Sequence, residues 1–257
     1  MSNILISDFV ILLLIFVRIL SAFVSSPIFS HSAIPVIPKI FIAFVVAYVV
    51  FSMVDKSKVV VEFGTWFLLT NVIKEVIIGL IIGYSLNMIF YGISFAGSLI
   101  GFDVGLSGAQ LLNPLEETDN NIVGEVIYFL AMLVFLLING HHYLIRALYT
   151  SFSIVPLGNN VINKPVFDLL LKYSASVFVI AVKIAAPILV SFFLIHIAEG
   201  ILARVIPQMQ VFFVTQPLKI GLGFALLAFA VPTYVFVIKG LLRSYEESLF
   251  QLIKAMG

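Results

Sequence analysis

Six long apolar segments take up most of this chain and limit it to folds that a lipid bilayer permits. A helix needs about 20 apolar residues to cross the hydrocarbon core, and it satisfies its backbone hydrogen bonds within one segment. The segments are Phe9–Phe29, Ile40–Val54, Phe63–Ile100, Ile122–Asn139, Val177–Ile197 and Val211–Ile238. We therefore predict an all-α membrane protein with about six apolar helical segments, organised as a single domain over residues 1–257.

The lengths of these segments are uneven. The second segment is shorter than a single span, whereas the third is about twice the length that a span requires. The third segment must therefore either extend beyond the bilayer or fold back as a hairpin. Pro187 and Pro232 fall inside the fifth and sixth segments, where a proline removes a backbone hydrogen bond and usually bends the helix.

Composition narrows the chemistry that the chain can perform. Hydrophobic residues make up 62% of the sequence and charged residues 11%, against roughly 45–50% and 25% in soluble domains. The net charge of +1, without a basic cluster, gives no sign of nucleic-acid binding. The absence of cysteine excludes disulfides, thiolate zinc sites and iron–sulfur clusters. We expect no cofactor and no nucleic-acid partner.

Motifs for nucleotide hydrolysis and zinc proteolysis are missing. No Gly-Lys pair occurs, so there is no Walker A motif, and neither GxGxxG nor HExxH is present. The adjacent His141 and His142 would face different directions on a helix, and no carboxylate stands at ligand spacing, so we interpret them as a polar cap. The sequence therefore gives no support to nucleotide hydrolysis or zinc proteolysis.

One enzyme alternative rests on a serine and a histidine. The Gly105-Leu106-Ser107-Gly108 motif and His196, in a chain of six segments, resemble the rhomboid intramembrane serine proteases. The resemblance fails at His196. Those enzymes have a His-x-x-Gly motif, whereas three residues, ending with Glu199, separate His196 from Gly200 here. Ser107 also precedes a polar, proline-containing run and does not open a membrane helix.

Two ionisable residues lie deep in apolar segments. Arg18 and Lys183 would each cost roughly 2.5–3.5 kcal/mol at a bilayer centre, so they should face protein or water. A structural ion pair with Glu75, Glu125 or Glu199 is one interpretation, and a path for a polar substrate or protons is the other. A small-solute secondary transporter would fit broken helices and buried charges, but no convincing internal repeat supports it.

Small residues at a spacing of four indicate close helix packing. Gly79 and Gly83 form one such pair, and Gly97 begins another run with Gly101, Gly105 and Ala109. These glycines pack either within the chain or against other subunits.

A polar block interrupts the last two apolar segments. It runs from Glu199 to Gly223 and contains an acid, two bases, two prolines and glutamines. Inside a bilayer, such polar and helix-breaking residues occur only where protein or water surrounds them. We interpret Arg204, Pro207, Gln208 and Pro217 as residues that break the chain there and anchor it to neighbouring subunits. A plain membrane turn is the alternative.

Three stretches together resemble the FliR family of flagellar export-gate proteins, which includes the related injectisome subunits of the SctT and SpaR type. They are VRILSAFVSSPIFSHSAIPVIPKI, KEVIIGLIIGYSLNMIFYGISFAGSLIGFDVGLSGAQLLNP, and INGHHYLIRALYTSFSIVPLG with the polar block, whose Ala-Arg-x-x-Pro-Gln-x-x-x-Phe and Pro-Leu-Lys are the most distinctive. The NGHHYLI and SFSIVPLG stretches look more like the flagellar branch than the injectisome branch.

The resemblance implies a non-enzymatic subunit of the type III export gate. The expected partners are FliP-like and FliQ-like gate subunits, FlhB-like and FlhA-like export components, membrane lipid, and unfolded flagellar proteins in transit. The expected location is the bacterial inner membrane, as a multi-pass protein in the flagellar basal body. The family's helices form hairpins within a multi-subunit assembly, which offers a reason for the uneven segments.

The family also has a loop that plugs the closed pore, and by order it falls on GFDVGLSGAQLLNP. Glycine allows tight backbone approach, and leucine fills a constriction without attracting water or ions. The predicted seal consists of Gly101, Phe102, Gly105, Leu106, Ser107, Gly108, Leu111, Leu112 and Pro114.

Overall fold

The computed structural model of the chain describes residues 2–31, 34–54, 64–106, 122–159, 163–208 and 210–257. In these ranges the backbone forms eight helices and no strand. The helices are α1 (Ser2–Ser25), α2 (Pro27–Ser30), α3 (Val36–Met53), α4 (Thr65–Val104), α5 (Ile122–Leu137), α6 (Gly140–Ile154), α7 (Lys164–Val205) and α8 (Val211–Met256). The all-α prediction is therefore confirmed.

Within the described ranges, five helices are long and apolar enough to cross a membrane, namely α1, α3, α4, α7 and α8. Helices α5 and α6 meet at an angle of 68° and together form a sixth candidate. The bend follows Asn139, which adopts a left-handed backbone with φ of 58° and so ends one helix before the next begins. The prediction of about six apolar segments is confirmed.

The third apolar segment is one continuous helix. Helix α4 holds 40 residues, so the segment does not fold back on itself as a hairpin. Helices α7 and α8 are also long, with 42 and 46 residues. Pro187 lies inside α7 and Pro232 inside α8, as predicted.

The chain divides into two compact units. Unit 1 consists of residues 1–88, 139–174 and 242–257, and unit 2 of residues 89–138 and 175–241. Helices α4, α7 and α8 each contribute residues to both. The single domain over residues 1–257 stays a prediction.

Unit 1 is built on α1, whose inner face is fully buried through Ile15, Ile19 and Phe23. Helix α3 packs on α1 through Ala43 and Ala47, and most of its other side chains are exposed. Short side chains let the two backbones approach closely, which fits an interface made inside a membrane. Among the described residues, the rest of α3 is an exposed, mainly apolar surface.

Unit 2 contains an aromatic core at the start of its part of α4. Phe90 is fully buried and makes edge-to-face contacts with Tyr128 and Phe135 of α5, at ring-centre distances of 5.6 and 5.9 Å. Gly92 lies against Val177 and Ile180 of α7, where a side chain would collide. These contacts hold α4, α5 and α7 together within unit 2.

Candidate functional site

The polar block between Glu199 and Gly223 spans the end of α7, the connection at residues 206–210 and the start of α8. The Nζ of Lys219 forms an ion pair with the Oε2 of Glu199 at a distance of 2.7 Å. Lys219 is only 5% exposed, so the pair is largely removed from solvent. Because α7 leads into α8 through a short connection, this ion pair joins the two helices just beyond their turn.

Two more residues of this part of α8 face the end of α4. The Gln216 Nε2 donates a hydrogen bond of 3.2 Å to the backbone oxygen of Gly105. Gly223 lies against Val104, and a Cβ at Gly223 would approach the Val104 side chain to 2.7 Å. Gln216, Lys219 and Gly223 lie on one helical face because they are spaced by three and four residues.

The end of α4 is closed by a Schellman motif. The Gly105 N–H donates to the oxygen of Phe102, and the Leu106 N–H donates to the oxygen of Gly101. Gly105 has φ of +88°, which is the left-handed conformation that this motif requires and that glycine adopts most readily. The helix ends here because the sequence supplies glycine at the required position.

The start of the predicted seal therefore lies at the end of α4, against α8. Gly101 is buried, Gly105 and Leu106 are half-buried, and Phe102 is 74% exposed. The remaining predicted seal residues, Ser107, Gly108, Leu111, Leu112 and Pro114, lie outside the described residues.

A second set of residues in the polar block points outward from the chain. Arg204, Pro207, Gln208 and Pro217 are all exposed. Arg204 stands in the last turn of α7, and Pro217 lies inside the early part of α8. The block thus has an inward set, Glu199, Gln216 and Lys219, and an outward set that is free to contact other molecules.

The first predicted buried charge, Arg18, lies at the centre of a polar cluster in unit 1. Its Nε donates to Glu75 at 2.5 Å, and its Nη1 donates to Ser151 and to the backbone oxygen of Val155, at 3.3 and 3.1 Å. The guanidinium also stands over the Phe152 ring, at 4.3 Å from its centre. The ion-pair interpretation is correct for Arg18, and Glu75 is its partner.

Glu75 extends this cluster to the connection after α6. Its second oxygen accepts a hydrogen bond of 2.9 Å from the Gly158 N–H, while Lys74 donates to the Gly158 oxygen at 2.8 Å. Gly158 has φ of +81°, and a Cβ there would meet the Asn71 side chain. The cluster therefore ties α1, α4 and the turn after α6 to one another.

The second predicted buried charge, Lys183, lies in a different environment. Its side chain is exposed on α7. His196 is likewise exposed on α7. In the part of the chain that the structure describes, no group of three or more His, Asp or Glu side chains could hold a metal ion.

The three predicted packing glycines contact other parts of the same chain. Gly79 lies against Arg18 and Ser21 of α1, Gly83 lies one turn along against α1, and Gly97 lies against Gly124 of α5. All three are buried. Packing within the chain, one of the two interpretations, therefore describes these glycines.

Sequence reasoning missed the roles of Gln216, Lys219 and Gly223. Glu199 is one of the predicted partners of Arg18 and Lys183, but in the structure it pairs with Lys219. The spacing of Gln216, Lys219 and Gly223 along α8 is the signal that could have grouped them, because it places them on one face. Their partners on α4 and α7 are distant in sequence and could not be read from that spacing.

Comparisons with known proteins agree with the resemblance found in the sequence. The family described as "Bacterial export proteins, family 1" matches residues 9–245. The flagellar biosynthetic protein FliR of Bacillus subtilis is 32% identical and covers 99% of both chains. FliR of Escherichia coli is 27% identical over 84% of this chain and 82% of its own. FliR of Aquifex aeolicus is 29% identical over 86% and 85%.

Proposed function

The chain belongs to the FliR family of bacterial export proteins, and from this we propose that it is a non-enzymatic membrane subunit of the flagellar type III export gate. In this role it helps to form and seal the channel through which unfolded flagellar proteins leave the cytoplasm. The observation that carries the proposal is the family match across nearly the whole chain. The three relatives are all flagellar proteins, which favours the flagellar branch over an injectisome.

The proposed location is the bacterial inner membrane within the flagellar basal body. FliP-like and FliQ-like subunits would surround the chain, with FlhB-like and FlhA-like components beside them. Support comes from large apolar side chains that are exposed among the described residues, such as Ile37 and Phe41 of α3 and Phe229 and Phe236 of α8. Apolar surface of this extent requires lipid or other subunits.

A deletion strain tests the proposed function. We expect cells that lack the chain to have no flagella and to take up small solutes normally, with flagella restored by a plasmid copy. Electron microscopy and radiolabelled uptake provide the two measurements. Normal flagella combined with a specific uptake defect would support a secondary transporter instead.

We assign the outward set of the polar block to subunit anchoring. Arg204, in the last turn of α7, and Pro207 and Gln208, in the connection to α8, are all exposed. Arg204→Ala should reduce co-purification with FliP-like and FliQ-like subunits. Arg243→Ala, at an exposed arginine in α8, is the control and should leave co-purification unchanged. Full co-purification of the Arg204 variant would refute the anchoring role.

We assign the sealing role to the segment from Gly101 to Pro114. Support comes from its start, where α4 ends at a glycine in a left-handed conformation and is followed by leucine. Apolar side chains at a constriction keep out water and ions. Deleting residues 105–109 should raise ion leakage through the assembled gate, measured as conductance in planar bilayers. A conductance equal to that of the unaltered gate would refute the sealing role.

A further inference from the structure

The end of α7 and the connection after it form an exposed tip, which we define as residues 200–208 and which contains the proposed anchoring residue Arg204. We propose that the ion pair between Glu199 and Lys219 is a positioning pair for this tip. It sets the rotation of α7 about its own axis and so directs Arg204 away from the chain. This inference rests on the proposed anchoring role.

The tip does not set its own direction. All of its residues are exposed, including large apolar side chains such as Ile201 at 60% and Val205 at 69% exposure. The Ile206 N–H donates a backbone hydrogen bond of 2.9 Å to the Leu202 oxygen. This bond fixes the shape of the last turn of α7 but not the side toward which the turn faces. A contact at the base of the tip is needed to fix that side.

The ion pair lies at this base. Glu199 is the residue directly before the tip, and its Oε2 lies 2.7 Å from the Nζ of Lys219. The exposed fractions of the two side chains are only 18% and 7%. Water therefore screens their attraction less than it screens a surface pair, and separating them would leave two poorly solvated charges. The pair holds one face of α7 against α8.

Helix geometry links the ion pair to Arg204. Successive residues of an α-helix are turned by about 100°, since 3.6 residues complete one turn. Arg204 follows Glu199 by five residues, so the two side chains leave α7 in directions that differ by about 140°. With Glu199 held against Lys219, Arg204 faces away from α8, in agreement with its exposure. A rotation of α7 that brought Arg204 toward α8 would break the ion pair.

The pair also decides which charge the tip presents. Between Glu199 and Gly223 the sequence has three charged residues, and the other two are Arg204 and Lys219. Because Lys219 neutralises Glu199, the charge that remains is that of Arg204, within the exposed tip. The ion pair therefore leaves Arg204 available to a neighbouring subunit.

Helix α8 gives the pair a fixed base within unit 2. Gln216 donates a hydrogen bond of 3.2 Å to the Gly105 oxygen at the end of α4. Gly223 lies against Val104, also at the end of α4. Lys219 lies between these two contacts, and the spacings of three and four residues place all three residues on one face of α8. Helix α7 is thus joined through Lys219 to a helix face that is itself packed.

A neutral replacement of both partners tests the positioning role. Glu199→Gln/Lys219→Met removes both charges, so no unpaired charge is left and the chain should still fold. We expect co-purification with FliP-like and FliQ-like subunits, measured per folded chain, to fall about fivefold, which equals roughly 1 kcal/mol. Arg243→Met/Glu247→Gln makes the same changes of charge at exposed positions of α8 and should leave co-purification unchanged. Normal co-purification of the Glu199→Gln/Lys219→Met chain would overturn the inference.

A charge-swapped chain shows whether the ion pair itself is required. Glu199→Lys/Lys219→Glu keeps opposite charges at the same two positions and should co-purify better than the neutral chain. If the swapped chain co-purifies no better, the inference is wrong. The swapped chain also decides the case in which the neutral chain does not fold, because it must then both fold and co-purify.

Combining the neutral pair with Arg204→Ala separates the positioning role from the anchoring role. If the pair acts through Arg204, its removal from an Arg204→Ala chain should cause no further loss of co-purification. Losses that add would show that the pair acts independently of Arg204 and would overturn the inference. If Arg204→Ala alone co-purifies fully, the anchoring role is wrong. If Arg204→Ala loses co-purification while the neutral pair does not, the anchoring role stands and only the inference about the pair falls.

Discussion

Arg18 and Lys183 show that the environment of a charged residue cannot be inferred from its apolar neighbours. Both residues stand inside apolar segments, yet Arg18 is fully buried among polar partners and Lys183 is exposed on its helix. The difference arises because Glu75 and Ser151, at separations of 57 and 133 residues, converge on Arg18. The same type of sequence signal therefore marks a structural ion pair in one case and a surface position in the other.

Removing the partner of Arg18 should destabilise unit 1. Glu75→Gln keeps an oxygen for the Gly158 N–H but leaves the buried guanidinium without a counter-charge. We expect a loss of about 3–5 kcal/mol in the free energy of unfolding. Thermal unfolding of the purified protein in detergent measures the change. Lys183→Gln is the matched control, and a Glu75→Gln protein as stable as this control would contradict the prediction.

At the level of helices, α4 shows how small residues set the distance between elements. Gly79 and Gly83 recur one turn apart and meet Arg18, Ser21, Ala22 and Ser25 of α1. Asn87 continues the same line by donating to the backbone oxygen of Ser25 at 2.9 Å. The sequence spacing predicted a close packing face on α4, and the partner is α1 of the same chain.

A side chain on this face should separate the two helices. In Gly79→Leu, the new side chain would collide with the backbone oxygen of Arg18 and with Ser21. Because backbone cannot rotate away, we expect a loss of about 1–3 kcal/mol or more. Gly240→Leu is the control, since open space surrounds Gly240 and leucine favours a helix by up to about 1 kcal/mol. Urea or thermal unfolding in detergent compares the two, and equal stabilities would refute the packing role.

For the whole molecule, the last residues of the chain are part of the core of unit 1. Tyr245 meets Ser85 at 3.1 Å, Tyr173 donates to the backbone oxygen of Ser248 at 2.7 Å, and Leu252 is fully buried. The C-terminal segment packs against α4 and the first part of α7 within unit 1.

This packing makes the C-terminal segment important for stability. Leu252→Ala removes a fully buried side chain and should cost about 2–5 kcal/mol. Phe229→Ala, at a side chain that is 87% exposed on the same helix, should have little effect on the purified protein. Thermal unfolding in detergent tests both. If Leu252→Ala unfolds at the same temperature as Phe229→Ala, the C-terminal segment is not part of the core.

Much of the candidate site could be located from the sequence, but its contacts could not. The polar block from Glu199 to Gly223 is visible as an interruption between apolar segments, and so is the glycine-containing start of the seal. The sequence does not show that the two meet through Gln216 and Gly105, because these residues are 111 positions apart. It also does not divide the block into inward and outward sets, since that division depends on which helix faces α8.

Helix formation, membrane location and family membership follow from the order of residues, because hydropathy and backbone satisfaction in lipid act locally along the chain. Only the packed structure shows the partners of Arg18, the helix against which the α4 glycines pack, and the contact between Gly105 and Gln216. These contacts join distant segments, and the free energy of burying a charge or closing a helix interface depends on what lies opposite. The spacing of residues along one helix predicts which face is packed, but the residues that pack against that face are known only from the tertiary structure.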